Sequence, residues 1–188
     1  MAVRTVRAVA LLRGVNVGGN KRVPMPELRR VLEGLGYSQV VTLLNSGNAV
    51  FTAEAAALGD AEDDVSGAIA AELGVACAVV VRTAAELVAA LAADPLADVA
   101  VDPARHLVGF LAAEPEPAVA GWLASLDVEP DQIRLVGRHV YLWLPAGISK
   151  GPLSTLPWER RLKVTVTSRN VNTVAKLVEL AAEESGLG

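Results

Sequence analysis

Two stretches of this chain run through the same order of hydrophobic periodicities, and that duplication constrains the fold more than any other feature. Ala8–Arg13 is an apolar run of strand length. A Gly/Asn-rich loop, Val15–Val23, follows. Pro26 then suits the first turn of a helix, with Glu27 near its positive end. Leu28, Val31, Leu32 and Leu35 share one helical face, and Gly36 stops it. Gln39–Leu44 and Ala49–Thr52 are strands on either side of the tight turn Asn45-Ser46-Gly47-Asn48. Asp60 is placed to N-cap a second helix with the stripe Val65, Ile69, Leu73, ended by Gly74. Val75–Val81 is a β-branched strand. The order β-α-β-β-α-β over residues 6–82 is that of a split βαβ, or ferredoxin-like, plait.

Thr83-Ala84-Ala85-Glu86 is a capping box that opens a connecting helix, and Asp94-Pro95 and Asp102-Pro103 punctuate a linker. The order then recurs: strand His106–Ala112, helix Pro117–Leu126, and a hairpin of Gln132–Val136 and Arg138–Leu144 around Gly137. An irregular or helical crossover, Ser149–Leu162, is broken by Pro152 and Pro157. Strand Lys163–Thr167 and a last helix from Val171 to about Glu184 complete it. No residue-level repeat accompanies the duplicated order. The expected fold is α+β: two tandem ferredoxin-like units, residues 1–82 and 105–188, joined by a helix and linker over 83–104, with an extra C-terminal helix.

Composition excludes several classes. With 188 residues and 52% apolar side chains, the chain can bury a core without staples. One cysteine, Cys77, rules out a disulfide framework or a thiolate metal cage, and two histidines make a multi-histidine site unexpected. No apolar run approaches the roughly 20 residues of a membrane span, and Ala8–Leu12 is too short for a signal-peptide core. The expectations are a cytoplasmic location, no membrane, no metal and no cofactor. The net charge of −4 argues against tight general nucleic-acid binding. Its distribution says more. Residues 1–52 carry seven basic and two acidic side chains, 53–131 carry two and fifteen, and 132–188 carry eight and four. Two basic ends flank an acidic middle; they would form one positive surface if they met, or a charge-balanced exterior if they did not.

Four segments together resemble one family: Ala10–Gly19 (ALLRGVNVGG), Lys21–Met25 (KRVPM), Asn45–Phe51 (NSGNAVF) and Thr167–Leu177 (TSRNVNTVAKL). The chain is similar to the bacterial family catalogued as domain of unknown function 1697 (DUF1697). The resemblance implies two linked ferredoxin-like units and carries no established activity with it. Two departures stand out. Val171 occupies a position after the Arg-Asn pair where the family usually has an aromatic residue, and the Gly-rich approach to its Ser-Lys pair is shortened to Gly147-Ile148-Ser149-Lys150.

The candidate chemistry concerns anions. Gly14–Lys21 has glycines that let backbone N–H groups point at a phosphate. It is not a P-loop, because Asn20 stands where the lysine is needed and Arg22 follows Lys21. A looser anion loop would use Arg13, Asn16, Lys21 and Arg22. The competing reading is a structural loop whose glycines supply positive φ. In the last helix, Arg169, Asn172, Thr173 and Lys176 fall at i, i+3, i+4 and i+7, which would put them on one face at a helix N-terminus. Val171, Val174 and Val178 would form the buried face, with Asn170 as N-cap. Lys150 is a further candidate anion ligand.

Other motifs point elsewhere. His139, Tyr141 and Trp143 alternate on one strand face, where RNA-recognition folds place stacking aromatics, but a packed stripe explains them equally. Gly147–Gly151 matches G-x-S-x-G, yet an antiparallel strand precedes it, so a nucleophile elbow is not expected. The acids Asp60, Glu62, Asp63 and Asp64 suit a helix start without a metal.

The function expected from sequence is binding of an anionic, phosphate-bearing ligand, such as a nucleotide or short nucleic acid. Nucleic acid is the weaker of these partners. The alternatives are an enzyme acting on a phosphorylated small molecule, held by Lys150 or Arg169, and a protein-interaction module using the His139–Trp143 strand or a sheet edge.

Overall fold

A computed structural model describes residues 4–19 and 21–183; the expectations placed on Met1–Val3, Asn20 and Glu184 lie outside them. Among the described residues there are two four-stranded antiparallel sheets and six α-helices. They divide into two units. One comprises the residues up to Val88 together with those from Lys176 on; the other is Ala89–Ala175.

The first unit contains β1 (Thr5–Leu12), α1 (Met25–Gly34), β2 (Ser38–Leu43), β3 (Asn48–Glu54), α2 (Ala61–Leu73) and β4 (Val79–Thr83). Its sheet order is β2-β3-β1-β4. Strand β1 is central, with Ala8 opposite Phe51 on one side and Thr83 on the other. Burial of Ala8–Leu12 is therefore complete, as expected for a continuous apolar run between two strands. Leu28, Val31 and Leu32 of α1 and Val65 and Ile69 of α2 share one core with Ala8, Ala10 and Phe51. Each of the Val, Leu, Ile and Phe side chains among them contributes about 1.5–3 kcal/mol by leaving water. Tyr37 stacks on Phe51 with ring centroids 4.5 Å apart. Arg7 of β1 donates to the Gln39 carbonyl (3.0 Å), to Thr52 Oγ1 (3.1 Å) and to the Leu180 carbonyl (3.4 Å).

Two local expectations differ from the structure. Asp60 precedes α2, but its side chain makes no capping bond; its carbonyl accepts the Asp64 N–H instead. Strand β4 starts at Val79, four residues later than the β-branched run suggests. Pairing decides this, because Val79 lies opposite Leu12, the last residue of β1. Val75 and Cys77 are buried without a ladder partner on β1.

Helix α3 (Ala84–Ala92) opens on the capping box: Glu86 Oε2 accepts the Thr83 N–H at 2.8 Å, and Thr83 Oγ1 accepts the Glu86 N–H at 3.2 Å. The second unit then runs β5 (His106–Leu111), α4 (Pro117–Ala124), β6 (Gln132–Val136), β7 (His139–Trp143), α5 (Trp158–Leu162) and β8 (Val166–Asn170). Helix α6 (Val171–Glu183) follows directly. The sheet order, β6-β7-β5-β8, repeats that of the first unit position for position. Strand β8 begins three residues after the expected Lys163. That lysine has φ +55° and closes α5 in the left-handed region, outside the extended backbone of a regular strand. Gly109 of β5 is required by packing, since a Cβ there would lie 2.5 Å from Val140 Cγ1.

Polar groups in this unit are tied down locally. Tyr141 is fully buried and its hydroxyl donates to the Ala90 carbonyl at 2.7 Å. His139 meets Phe110 edge-on at 5.6 Å. The His139–Trp143 stripe is thus closed at its middle residue, against its use as an open stacking platform. Asp94 Oδ1 accepts the Leu96 N–H at 2.9 Å, and its Oδ2 lies 3.0 Å from His106 Nε2, within ion-pair distance though off hydrogen-bond alignment. Asp131, also buried, accepts the Leu153 N–H at 3.0 Å, and Gly151 packs so closely on that carboxylate that no Cβ fits.

Candidate functional site

The loop from Arg13 to Pro24 leaves the sheet at the end of β1 and returns at the start of α1. Gly14 and Gly18 have φ +66° and +55°, so the glycines do supply backbone that other residues rarely adopt. Asn16 also sits at positive φ, +57°, and its carboxamide staples the loop. Its Nδ2 donates to the carbonyls of Val23 (2.8 Å) and Asn45 (2.6 Å), and its Oδ1 accepts the Val23 N–H at 2.9 Å. The Asn16 backbone N–H donates to the Lys21 carbonyl at 2.8 Å. The β2–β3 turn is thereby fixed to the loop. A second tie is the Leu12 N–H to the Gly47 carbonyl at 2.8 Å.

Between loop and turn lies an open cavity of about 480 Å³. Asn16, Gly18, Gly19, Arg22 and Asn45 form its polar part. Val23, Pro24, Met25 and Pro26 form an apolar wall. The size is within the range of small-molecule sites, roughly 300–1,000 Å³. The charged residues of the loop are all basic. The chain has no Asp or Glu before Glu27, whereas Arg13, Lys21 and Arg22 all belong to this loop and are exposed. Lys21 and Arg22 form no ion pair among the described residues. Glu27, the nearest acid in sequence, pairs with Arg30 at 2.9 Å.

Of the sequence candidates, Asn16 and Arg22 line the cavity; Arg13 and Lys21 lie in the same loop without lining it. Asn16 is committed to holding the loop rather than left open to a ligand. Asn45 and Met25 also line the cavity, and sequence reasoning missed both. Asn45 falls in a motif whose signal is that of a turn, and Met25 lies in a helix start.

The second group of candidates is arranged differently from the expected helical face. Arg169 belongs to β8, so the i, i+3, i+4, i+7 pattern does not run along one helix. The helix can begin only after Asn170, whose Oδ1 accepts the Thr173 N–H at 2.9 Å and caps it as the sequence suggests. Arg169 is buried, and its Nη1 donates to Thr167 Oγ1 (2.9 Å) and the Ser168 carbonyl (2.8 Å). Burial lowers its pKa to about 10, so it keeps its charge at neutral pH. Thr173 is buried with Val174 and Leu177, while Val171 and Val178 are only half-buried; the inward face is rotated from the expected one. Asn172 is exposed, and so is Lys176, whose Nζ contacts Glu179 at 2.9 Å. Lys150 is exposed in the turn after β7, where its N–H donates to the Gly147 carbonyl at 3.2 Å. Among the described residues no group of His, Cys, Asp or Glu is arranged to hold a metal ion, and no helix is long and apolar enough to cross a membrane.

Fold and site together define an α+β protein of two antiparallel sheets with a glycine-bearing cationic loop beside the first. The family follows from comparison. The model described as "Protein of unknown function (DUF1697)" matches residues 6–141, and the chain belongs to that family. A solved structure, that of the conserved bacterial protein SP0830 from Streptococcus pneumoniae, is similar at 24% sequence identity and a TM-score of 0.75, covering 95% of this chain and 99% of that one. A search of curated proteins found no match.

Proposed function

We propose that the loop between β1 and α1 binds a phosphate-bearing small anion. The observation that carries this reading is the cavity of about 480 Å³ beside the loop, with Arg22 and the Gly18–Gly19 backbone in its lining and no acid in the preceding sequence. Glycine backbone close to a ligand offers N–H donors, and a guanidinium presents two parallel donors to a phosphate. Arg13 and Lys21 add field without direct contact. The reading does not draw on Arg169, whose guanidinium is engaged within β8. For the framework, we read each sheet as a ferredoxin-like plait; the strand orders β2-β3-β1-β4 and β6-β7-β5-β8 support this.

The test is a thermal-shift titration with inorganic phosphate, pyrophosphate, ribose 5-phosphate and nucleoside monophosphates, in wild type, Arg22→Ala and Lys21→Ala. A ligand at 100 times its Kd should stabilise the wild type by about 2.7 kcal/mol. Arg22→Ala should lose most of that, Lys21→Ala less, and moderate salt should weaken both the binding and the effect of Lys21. Equal shifts in all three proteins would refute the reading.

A further inference from the structure

The cavity lining combines polar and apolar residues, and this specifies more than a phosphate. The polar part holds Arg22, Asn45 and the glycine pair. The apolar part of the lining is Val23-Pro24-Met25-Pro26. Pro24 and Pro26 are exposed, with Met25 half-buried between them. Neither proline has an N–H to donate, and their rings are rigid. A sugar hydroxyl laid against that wall would lose its water partners and gain none, which is unfavourable. A flat apolar ring faces no such cost, and a thioether makes favourable contacts with aromatic rings.

Asn45 supplies what such a ring would need at its edge. Its backbone carbonyl is bound by Asn16, but its exposed carboxamide has no hydrogen bond among the described residues. A carboxamide offers a donor and an acceptor side by side, the pattern that reads a nucleobase edge. The turn that carries it is held in a demanding conformation. Leu44, immediately before Asn45, has φ +58° and is 59% exposed. A branched side chain in the left-handed region costs about 1–2 kcal/mol and persists only where surrounding bonds enforce it. Here they do, through Asn16 to Asn45 and Leu12 to Gly47.

We infer that the ligand class is a nucleoside phosphate, with its phosphate at Arg22 and the Gly18–Gly19 backbone, its base against Pro24-Met25-Pro26, and the base edge read by Asn45. The inference rests on the anion-binding reading of the same loop. It separates this ligand from sugar phosphates and inorganic anions, which have nothing to place on the apolar wall.

The experiment is calorimetric titration of the full chain with AMP, UMP, ribose 5-phosphate and inorganic phosphate. At least one nucleotide should bind about tenfold or more tightly than ribose 5-phosphate, the gain expected from burying a base face on apolar side chains. Asn45→Ala, an exposed change, should narrow that ratio and leave ribose 5-phosphate affinity unaltered. If ribose 5-phosphate binds as tightly as every nucleotide, the base site is refuted and the anion reading stands. If Asn45→Ala weakens all four ligands alike, Asn45 holds the loop and does not read a base. If none of the four binds at low salt, the anion reading itself falls, and this inference with it.

Discussion

The carboxamide of Asn16 holds both backbone groups of Val23, accepting its N–H at 2.9 Å and donating to its carbonyl at 2.8 Å. One side chain thus closes the loop between residues 16 and 23 in the manner of a strand pair. Asn16→Ala removes these bonds and the one to Asn45, and places an alanine at φ +57°. The expected cost is about 2–4 kcal/mol. Asn16→Gly relieves the φ and should cost less than Asn16→Ala. Urea unfolding of the two variants checks the order; an alanine variant as stable as wild type would contradict the staple.

Two glycines of the same region should respond differently to one added methyl group. Gly47 has φ +80°, and a Cβ there would stand 2.6 Å from Val15 Cγ2 and 2.7 Å from Leu12 Cβ. Gly14 has φ +66° and open space around it. Gly14→Ala should cost about 1–2 kcal/mol, from φ alone. Gly47→Ala should cost about 1–3 kcal/mol more, because overpacking is added to the same strain. Thermal unfolding of the pair measures the difference, and equal losses would show that the turn yields.

Much of this architecture is legible in the sequence. The stripes Leu28-Val31-Leu32 and Val65-Ile69 are buried as their spacing requires, and the Thr83–Glu86 box closes as its residue types predict. The misses in where elements begin have a common cause. Val75–Val81 and Lys163–Thr167 read as strands by content, but a strand lasts only as long as its neighbour. Leu12 limits β4, and the left-handed Lys163 delays β8. The same holds for Arg169. Helical spacing extends back to it on paper, yet the Asn170 cap fixes where α6 can begin. In the candidate site, Arg22 and the glycines are visible in sequence. Asn45 is not, because its approach to the loop depends on Asn16 reaching across from residue 16 to residue 45.

The chain's one cysteine, Cys77, is buried, and burial pushes its thiol above the ordinary range, against a smaller opposing pull from Lys21. The native protein should therefore label slowly with a disulfide reagent at pH 8 and rapidly in urea. Fast stoichiometric labelling of the folded protein would show that the segment before β4 opens readily.

Alkaline titration should expose Tyr141. Burial, reinforced by Asp94, raises its phenol to about 12 from the ordinary 10. The neutral phenol is the form the fold favours, so its contribution is complete below pH 10 and is lost as pH rises from 10 through 12. Arg169 acts with the opposite sign. Its pKa is depressed to about 10 by burial, so the cost of burying its charge is relieved as pH rises above 10. Absorbance at 295 nm should show a late tyrosine step near pH 12 that vanishes in Tyr141→Phe. That variant should also lose about 1 kcal/mol by orphaning the Ala90 carbonyl. A Tyr141→Phe titration identical to wild type would refute the assignment.

The first unit is discontinuous: it stops at Val88 and resumes at Lys176, within α6, where Arg7 of β1 meets the Leu180 carbonyl. A ribosome delivers these parts in order of sequence. At ordinary synthesis rates, roughly ten seconds separate the emergence of Val88 from that of α6. Throughout that interval the nascent β1 has its sheet neighbours but not its distant partner at Leu180. The half of the protein that is made first is the half that is finished last.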